Sequence, residues 1–579
     1  MVLVPDVKRL TWALASAAAI LFAGWVVIDT LRTIVPDWSP LPWFDEWATV
    51  ELLRAWQAGE MTVVQVLFAQ HNEHRLAVPR ILFFADDLLF RGGGWLEFIA
   101  ICVVQAAHAA LFATVLFRSK AAGRGRWIVA AICVALMFSL RQVENLGSPF
   151  QLQFVAVFAG ATLSFVVFGL AIARMRREAP FAGCLLASFA TVLLTVFTMA
   201  NGLVAAFVLV AMALTARVRW SVVLACAAWA AILTMLYLHG YEPVAQHSRP
   251  LDSLHRPGEL LLYAAMYLGS VIATADVLPA AVLGFVGMAA TLAAAVRCHL
   301  QRGGRLMPLA MVAVMLFVVA AALVTASGRL TFGLGQALSS RYVAGSVTFW
   351  AAHLVYWWID PPAWPLRRSG IAASRLAVLL GSFMLVLVLP TEQRQAKGPL
   401  AEQRFAQNES ADLLMLGLDD RAVLARAAWS DDDVERLVPV LRRNRISIFG
   451  TRDFEAVGHP LADRANRDDP DLCGGAIDIA EADARLGHDG VRLSGTAWDG
   501  AKRRLVRRVF LTNEAEVVVG FGSGAEPGAA RSAWQGFAVA PLGSRLVAYG
   551  LLSDGHVCRV GAHGVSDGAS HTSGGAAPS

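Results

Sequence analysis

Residues 10–28 read LTWALASAAAILFAGWVVI, an apolar run long enough to cross a hydrocarbon core of about 30 Å. Similar runs recur along the chain as far as residue 390. Hydrophobic residues make up 57% of the sequence and charged residues only 16%, and the mean hydropathy is +0.55. Because these values lie outside the range of soluble globular proteins, the sequence predicts a mainly α-helical, polytopic membrane protein.

The lengths of these runs predict about eleven transmembrane helices. They lie at residues 10–28, 95–117, 127–140, 150–173, 181–199, 202–216, 220–237, 277–296, 306–326, 343–359 and 375–390. Basic residues mark alternate connections, for example Arg118, Lys120, Arg124 and Arg126. The positive-inside rule places these connections and the N-terminus in the cytoplasm. An odd number of spans then places the C-terminal region outside.

Some features qualify this topology. The apolar stretch 259–275 must lie on the surface or re-enter, because a full span there would break the parity. A cleaved signal peptide is the alternative for the first span, but its apolar stretch is long for one and favours an uncleaved anchor. The net charge of +5 does not argue for nucleic-acid binding, because Arg and Lys stand where topology requires them.

Composition divides the chain into four regions. Residues 1–390 form the transmembrane domain with a long first outer loop at 29–94, and residues 391–447 form a helical linker. Residues 448–560 alternate apolar strands with turns and predict an extracytoplasmic β-sandwich, and the Gly- and Ser-rich tail 561–579 predicts disorder. In the first loop, Val50, Leu53 and Trp56 share a helical face that we expect to lie on the membrane interface. Cys473 and Cys558 form either a disulfide or two lone thiols.

Charged and polar residues gather at the outer ends of the predicted spans. The acidic pair Asp45-Glu46 follows the first span, and Gln70 to Arg75 lies in the same loop. Later outer turns contribute Arg141 to Asn145, Ser327 to Arg329, Ser339 to Tyr342, and His239, His247, Arg249, His255 and Arg256. Polar groups at such positions commonly surround a site that lipid-borne substrates can reach.

Each of these groups also has a simpler interpretation. Asp45 and Glu46 also suit a helix start, where carboxylates complement the helix dipole. His71 and His74, three residues apart, would share a helical face and bind a metal with a nearby carboxylate, or serve as hydrogen-bonding residues. Arg329 and Arg341 also suit snorkelling to lipid headgroups.

Four segments carry a family resemblance. They are Phe44-Asp45-Glu46-Trp47, Gln70-His71-Asn72-Glu73-His74-Arg75 with Pro79-Arg80, Glu144-Asn145 with Phe150-Gln151-Leu152-Gln153-Phe154, and Ser340-Arg341-Tyr342. With the many spans and the long first outer loop, they resemble the GT-C superfamily of integral membrane glycosyltransferases, and within it an uncharacterised bacterial GT-C-like group. The resemblance covers about the first 390 residues and part of the C-terminal region.

The resemblance implies a glycosyltransferase of the bacterial inner (plasma) membrane. Such an enzyme inverts the anomeric centre as it moves a hexosyl or pentosyl group from a polyprenyl-phosphate donor to an envelope glycan or lipid acceptor. The implied catalytic residues are Asp45, as general base, and Glu46. The implied donor-phosphate residues are Arg329, Arg341 and Tyr342, with Arg75 and His74 behind them. The implied substrate-binding residues are His71, Glu73, Glu144 and Asn145.

The chain also departs from some members of the superfamily. Some of them use a divalent metal such as Mg²⁺ or Mn²⁺, but no convincing ligand set stands out in this sequence, and no residue is assigned to a metal. No motif of the oligosaccharyltransferase kind supports a protein acceptor. The alternative function is transport or flipping of lipid-linked sugars without transfer chemistry, which predicts functional charges inside the spans. A third interpretation is an assembly protein whose β domain binds a partner.

Overall fold

The structure, a computed structural model, describes the chain apart from scattered residues. Those outside the description are 1–3, 37, 245–252, 254, 273–275, 302–303, 362–372, 429, 462–471, 488, 501–505, 507, 525–529, 531, 553–554 and 568–579. His247 and Arg249 therefore lie outside the described residues, as does the predicted tail from 568 onward.

Most of the described chain is helical. The helices are α1 Val4–Ile34, α2 Trp47–Gln57, α3 Val63–Phe68, α4 Ala77–Leu89, α5 Trp95–Arg118, α6 Arg126–Met137, α7 Val143–Gly147, α8 Leu152–Arg176, α9 Ala182–Val196, α10 Gly202–Thr215, α11 Trp220–Leu238, α12 Pro257–Gly269, α13 Val277–Leu300, α14 Leu306–Arg329, α15 Val343–Ile359, α16 Ala373–Gln395, α17 Lys397–Leu416, α18 Arg421–Leu424, α19 Asp431–Asn444 and α20 Arg452–Ala456.

The strands form a short hairpin and a larger sheet. They are β1 Gln70–His71, β2 His74–Arg75, β3 Cys473–Ala482, β4 Gly490–Asp499, β5 Arg508–Thr512, β6 Val518–Gly524, β7 Ala533–Val539, β8 Arg545–Leu551, β9 Val557–Gly564 and β10 Ser566–Asp567. The chain folds into two units, each of which draws on separate stretches of sequence. Unit 1 comprises Met1–Pro36, Thr62–Leu82 and Trp95–Lys397, and unit 2 comprises Asp37–Met61, Phe83–Gly94 and Gly398–Ser579.

Among the described residues, eight helical segments are long and apolar enough to cross a membrane. They are Arg9–Ile34, Trp95–Arg118, Arg126–Gly147, Pro149–Arg176, Trp220–Leu238, Val277–Leu300, Leu306–Phe332 and Ala373–Leu416. This confirms the prediction of a membrane-compatible helical architecture. The other three predicted spans are the shorter helices α9, α10 and α15, of 15, 14 and 17 residues. At 1.5 Å per residue these helices are about 21–26 Å long, so the count of eleven spans is not confirmed.

The apolar stretch that was expected on the surface or as a re-entrant segment is a buried helix of unit 1. In α12, the residues Tyr263 to Leu268 are at most 1% exposed. Gly269 and Gly284 bring α12 and α13 together, because a Cβ at either would stand 1.8 Å from a carbonyl oxygen of the facing helix. Small residues thus draw the second half of this helix against its neighbour, and the placement of the stretch relative to a membrane stays a prediction.

The core of unit 2 contains part of the first outer loop. Trp47, Val50 and Leu53 of α2 are buried at 4%, 4% and 1% exposure. They share a hydrophobic core with Leu437 and Leu441 of α19. The apolar face of α2 was expected on the membrane interface; this is wrong, because the face packs against protein instead.

The strands β3 to β10 form one eight-stranded sheet in the order β10-β3-β4-β7-β6-β5-β8-β9. The sheet closes toward itself, because β10 follows β9 directly in the chain and pairs parallel with β3 at the other end. The β-rich C-terminal domain is thus confirmed, and a sandwich of two sheets is not. The paired strands extend to Asp567, past the boundary at residue 560. Cys473 of β3 and Cys558 of β9 are joined in a disulfide, with Cα atoms 6.0 Å apart.

Candidate functional site

The hairpin β1–β2 presents the first charged group of unit 1. Asn72 adopts a positive φ of 48° at its tip, a conformation that Asn tolerates well. The Glu73 carboxylate accepts a hydrogen bond from Arg329 Nη2 at 2.8 Å and lies 3.6 Å from the His74 ring. Burial alone would raise the pKa of Glu73, but the charges of His74 and Arg329 outweigh it and lower that pKa to about 2. Glu73 therefore remains a carboxylate at neutral pH and stays paired with Arg329.

Arg75 anchors the hairpin through backbone contacts. Its guanidinium donates to the carbonyl oxygens of Tyr237, Phe68 and His239 at 2.9, 2.8 and 2.6 Å. The neighbouring His74 is buried, and its Nδ1 lies 3.4 Å from the Ala200 backbone N–H. The resemblance implied that both residues stand behind the donor phosphate. The observed contacts give Arg75 a structural task, which is to fix the strand that carries Glu73.

A second pair of sequence segments meets in unit 1. The Glu144 carboxylate accepts hydrogen bonds from Ser340 Oγ at 2.9 Å and from the backbone N–H of Arg341 at 3.2 Å. The side-chain amide of Asn145 donates to the Arg341 carbonyl at 3.0 Å. Glu144 and Asn145 were predicted to bind substrate; in the structure they hold the turn that carries Arg341 and Tyr342.

Aromatic contacts connect these groups. The Arg341 guanidinium lies 5.6 Å from the Tyr342 ring centroid, and Tyr342 stacks on Tyr267 at 5.6 Å. His71 meets Phe150 edge to face at 5.2 Å, which brings the hairpin beside the start of α8. Tyr342 also interacts electrostatically with Arg341, Arg329, Glu73 and Glu144. We call the following residues the polar cluster: Glu73, His74, Glu144, Asn145, Arg329, Arg341 and Tyr342.

Several buried polar atoms border the polar cluster. Asn145 Oδ1, Gln151 Oε1 and Tyr263 Oη have no hydrogen-bond partner within the described part of the chain. Tyr263 is fully buried and interacts electrostatically with Tyr342, Arg329 and Arg341. Tyr263 was not predicted from the sequence, and the available signal was a tyrosine within an otherwise apolar helix. Buried amide and phenol groups of this kind suit the hydroxyl groups of a ligand.

A buried ion pair contacts the segment just before the turn that carries Arg341. Arg141 donates from Nη2 to the Leu338 carbonyl at 2.9 Å, and its Nε lies 3.6 Å from the Glu392 carboxylate. Both side chains are at most 6% exposed. Gln393, the next residue, donates from Nε2 to Asp29 at 3.1 Å. Neither Glu392 nor Gln393 was predicted from the sequence, although both are polar and follow directly after the last apolar run.

Unit 2 holds a separate group of carboxylates, the acidic cluster, formed by Asp45, Glu46, Asp86 and Asp87. Glu46 accepts a hydrogen bond from the Trp43 backbone N–H at 3.0 Å, which is the helix-start role considered for the pair. Asp86 accepts one from the Gly94 N–H at 2.7 Å. Burial, together with the charges of Asp86 and Glu46, raises the pKa of Asp87 to about 7.

Asp87 is an acidic residue that was not predicted from the sequence. Its signal was two adjacent carboxylates, Asp86 and Asp87, inside the apolar helix α4. A carboxyl group with a pKa near 7 can accept a proton at neutral pH and release it again, which is what a general base requires. Asp45 is half-buried in the turn Phe44–Glu46.

The histidines do not share a helix. His71 and His74 are cross-strand neighbours on β1 and β2, so their expected helical spacing is wrong. Across the described residues, no group of three or more His, Cys, Asp or Glu side chains is arranged to hold a metal ion.

The chain therefore carries two sets of candidate residues, one in each unit. Asp45 and Glu46 belong to unit 2, whereas Arg329, Arg341 and Tyr342 belong to unit 1. Comparison of the chain with known protein families, with curated proteins and with solved structures gave no match.

Proposed function

We propose that this protein is a membrane glycosyltransferase of the GT-C type. In this proposal it transfers a hexosyl or pentosyl group from a polyprenyl-phosphate donor to an envelope glycan or lipid acceptor. The reaction takes place on the outer face of a bacterial plasma membrane that the chain crosses about eleven times, with the N-terminus in the cytoplasm. The observation that carries the proposal is the polar cluster, in which two arginines and a tyrosine from distant segments come together.

The polar cluster suits a departing lipid phosphate. Cleavage of the bond between sugar and phosphate leaves negative charge on the phosphate, so cations placed there stabilise the transition state. Arg341 offers a planar fork that can bond two phosphate oxygens, and Tyr342 offers a phenolic donor. Arg329, paired with Glu73, is held in one orientation. The buried Asn145, Gln151 and Tyr263 oxygens suit the hydroxyl groups of the transferred sugar.

The base in this proposal is assigned from position in the sequence. Inversion requires a group that removes the proton from the acceptor hydroxyl while its oxygen bonds to the anomeric carbon. A phosphate leaving group needs little protonation, so one carboxylate is enough. Asp45 is assigned this role from its place after the first span, with Glu46 in support. Asp87 is the second candidate, because its raised pKa suits proton transfer at neutral pH.

Transfer of radiolabelled sugar from a synthetic polyprenyl-phosphate donor tests the proposal. The purified full chain, in nanodiscs, is given the donor and a lipid extract of the cell envelope as acceptor. We expect Asp45→Asn to abolish transfer and Arg341→Gln to reduce it by roughly 100-fold, the size of effect seen when one charge-stabilising donor is lost. The matched control is Arg256→Gln, which removes an exposed arginine paired with Glu259 and should leave transfer unchanged.

Transport of lipid-linked sugars is the second candidate function. The observation that favours it is the buried pair Arg141–Glu392 near helix ends, because buried charges often mark transport paths. In vesicles, a transporter would move the donor across the bilayer with no transfer to acceptor. Full transfer by Asp45→Asn and Asp87→Asn alike would contradict the assigned bases, and transport without transfer would replace the enzyme proposal.

A further inference from the structure

A basic groove lies in unit 1. It is at the opposite ends of the helices from the polar cluster. It is an open cavity of about 970 Å³ between α1, the end of α5, and the start of α6. At one end of α1, Thr30 Oγ1 donates to the Phe138 carbonyl just after α6. Arg9 and Arg126, at the starts of the same two helices, line the groove. With 1.5 Å of rise per residue, Arg9 and Thr30 are about 30 Å apart, the thickness of a bilayer core.

Five cations line the basic groove and, among the residues that the structure describes, no carboxylate does. They are Arg9, Arg118, Lys120, Arg124 and Arg126. Four are exposed, and Arg126 is half-buried with its guanidinium 4.9 Å from the Phe117 ring centroid. Within the described residues none of the five forms an ion pair, and the buried Nε of Arg126 has no hydrogen-bond partner. A cavity lined by five cations attracts an anion.

One wall of the basic groove is apolar and continues along α1. Ala13, Ala17 and Ile20 line it. Leu14 and Leu21, on the same helix, are 62% and 74% exposed, as expected of a surface that faces lipid chains. Trp12 and Trp127 also line the groove, and amphipathic aromatic rings suit the depth of headgroups. The cations therefore lie at headgroup level, and the small side chains leave room for a hydrocarbon chain below.

We propose that the basic groove binds one anionic diacyl phospholipid. Arg118, Lys120, Arg124 and Arg126 contact the phosphate, and one acyl chain lies along Ala13, Ala17 and Ile20. Free phosphate would engage the cations but leave the apolar wall uncovered. A zwitterionic phospholipid would cover the wall but bring a cationic headgroup to a groove that already holds five. Both features are satisfied together only by a lipid whose headgroup carries net negative charge.

Native mass spectrometry of the purified full chain in detergent tests this proposal. Phosphatidylglycerol is titrated into the protein, with phosphatidylcholine, inorganic phosphate and a polyprenyl phosphate in parallel arms. We expect one saturable phosphatidylglycerol molecule. The variant Arg118→Gln/Lys120→Gln/Arg124→Gln should lose about 100-fold in affinity, because each cation near a lipid phosphate contributes about fivefold. The control Arg177→Gln/Arg217→Gln/Arg219→Gln removes three exposed arginines outside the groove and should bind as the parent does.

A second variant tests the apolar wall without changing any charge. Ala17→Phe fills the groove beside α1 and should weaken phosphatidylglycerol binding while inorganic phosphate is unaffected. Equal loss in the control triple variant, or no loss in the groove variant, would overturn the proposal. Equal binding of phosphatidylcholine would contradict the proposed selection of a negatively charged headgroup. Tighter binding of inorganic phosphate or of a polyprenyl phosphate would assign the groove to that ligand. None of these measurements depends on sugar transfer, so they succeed or fail separately from the proposed enzyme.

Discussion

At the scale of single residues, the polar cluster shows how a carboxylate can place an arginine through the backbone of its turn. Glu144 bonds the Ser340 hydroxyl and the Arg341 backbone N–H, so it fixes the turn while the guanidinium lies over the Tyr342 ring. A charge-assisted hydrogen bond is about twice as strong as a neutral one. The position of Arg341 therefore depends on a residue from a segment almost two hundred positions earlier in the chain.

This dependence predicts the effect of shortening Glu144. We expect Glu144→Ala to raise the KM for the polyprenyl-phosphate donor by about tenfold, since the lost charge-assisted hydrogen bonds leave Arg341 without its support. Glu144→Gln, whose side-chain oxygen can still accept hydrogen bonds, should raise the KM less. Steady-state kinetics of both variants checks this, with the exposed Glu259→Ala as control. A loss confined to kcat in Glu144→Ala would contradict the positioning role.

Asp87 predicts a pH dependence. Its pKa of about 7 lies well above its ordinary value of 3.8, so the folded protein loses stability as the pH rises from about 4 to 7 and Asp87 ionises. We expect Asp87→Asn to unfold at a higher temperature than the parent at pH 8 and at nearly the same temperature at pH 4. At pH 8 the free energies of unfolding of Asp87→Asn and of the parent should differ by a few kcal/mol. Thermal unfolding across this pH range measures it, and an equal gap at both values would contradict the raised pKa.

The same residue predicts a feature of the rate profile. If Asp87 is the base, sugar transfer by the parent should rise with pH through about 7, and this rise should disappear in Asp87→Asn. If Asp45 alone is the base, the Asp87→Asn profile should keep the shape of the parent profile. The initial rate of transfer, measured between pH 5 and 9, distinguishes the two carboxylates.

The sequence allowed the charged residues to be named but not paired. Glu144, Arg329 and Arg341 stood out at the ends of spans and Glu73 in the first outer loop, and the family resemblance implied their roles. Which carboxylate meets which arginine depends on contacts between segments far apart in the chain, and no local spacing reports these. Asp87 was not predicted because the sequence shows its neighbour Asp86 but neither its burial nor the approach of Glu46.

At the scale of secondary-structure elements, α2 shows the limit of helical periodicity. The spacing of Val50 and Leu53 correctly indicated one apolar face on this helix. A periodic face requires only an apolar neighbour, however, and lipid and protein meet that need equally. In the structure the neighbour is α19, and the reciprocal amide bonds of Gln57 and Asn444 at 2.8 and 3.1 Å close the same contact. Length identified the apolar runs more reliably than periodicity identified their neighbours, since eight of the eleven predicted spans are long apolar helices in the described chain.

The contact between α2 and α19 predicts a loss of stability on truncation. Leu53→Ala should lower the free energy of unfolding of unit 2 by about 2–5 kcal/mol, because Leu53 is 1% exposed within the core. The matched control is Leu542→Ala, also in unit 2, where the side chain is 61% exposed and the change should be within about 0.5 kcal/mol. Chemical denaturation in detergent compares the two, and similar losses would argue against the observed packing.

At the scale of the whole molecule, the disulfide relates fold to cellular compartment. Cys473 and Cys558 are 85 residues apart, and their bond joins β3 to β9. Disulfides persist in oxidising surroundings, which accords with the predicted placement of the C-terminal domain outside the membrane. The sequence left the disulfide and two lone thiols as alternatives, because pairing depends on the closure of the sheet.

The disulfide closes the stretch of chain between Cys473 and Cys558 into a loop, and this predicts a measurable stabilisation. Cys473→Ser/Cys558→Ser should lower the free energy of unfolding by about 2–5 kcal/mol, since the oxidised chain loses less entropy on folding. Reductant should lower the Tm of the parent toward that of the double variant and leave the variant unchanged. The control Cys184→Ser, at a half-buried free cysteine of unit 1, should behave as the parent. Equal sensitivity of the parent and the double variant to reductant would contradict the bond.

The division of the first loop between the two units also has a consequence during synthesis. The segments Asp37–Met61 and Phe83–Gly94 leave the ribosome about three hundred residues before Gly398, where the rest of unit 2 begins. At about 5–20 residues per second, the wait lasts roughly 15–60 s. During that interval Trp47, Val50 and Leu53 are without the α19 residues that share their core. A chain truncated before residue 398 therefore lacks the core residues against which this apolar face packs.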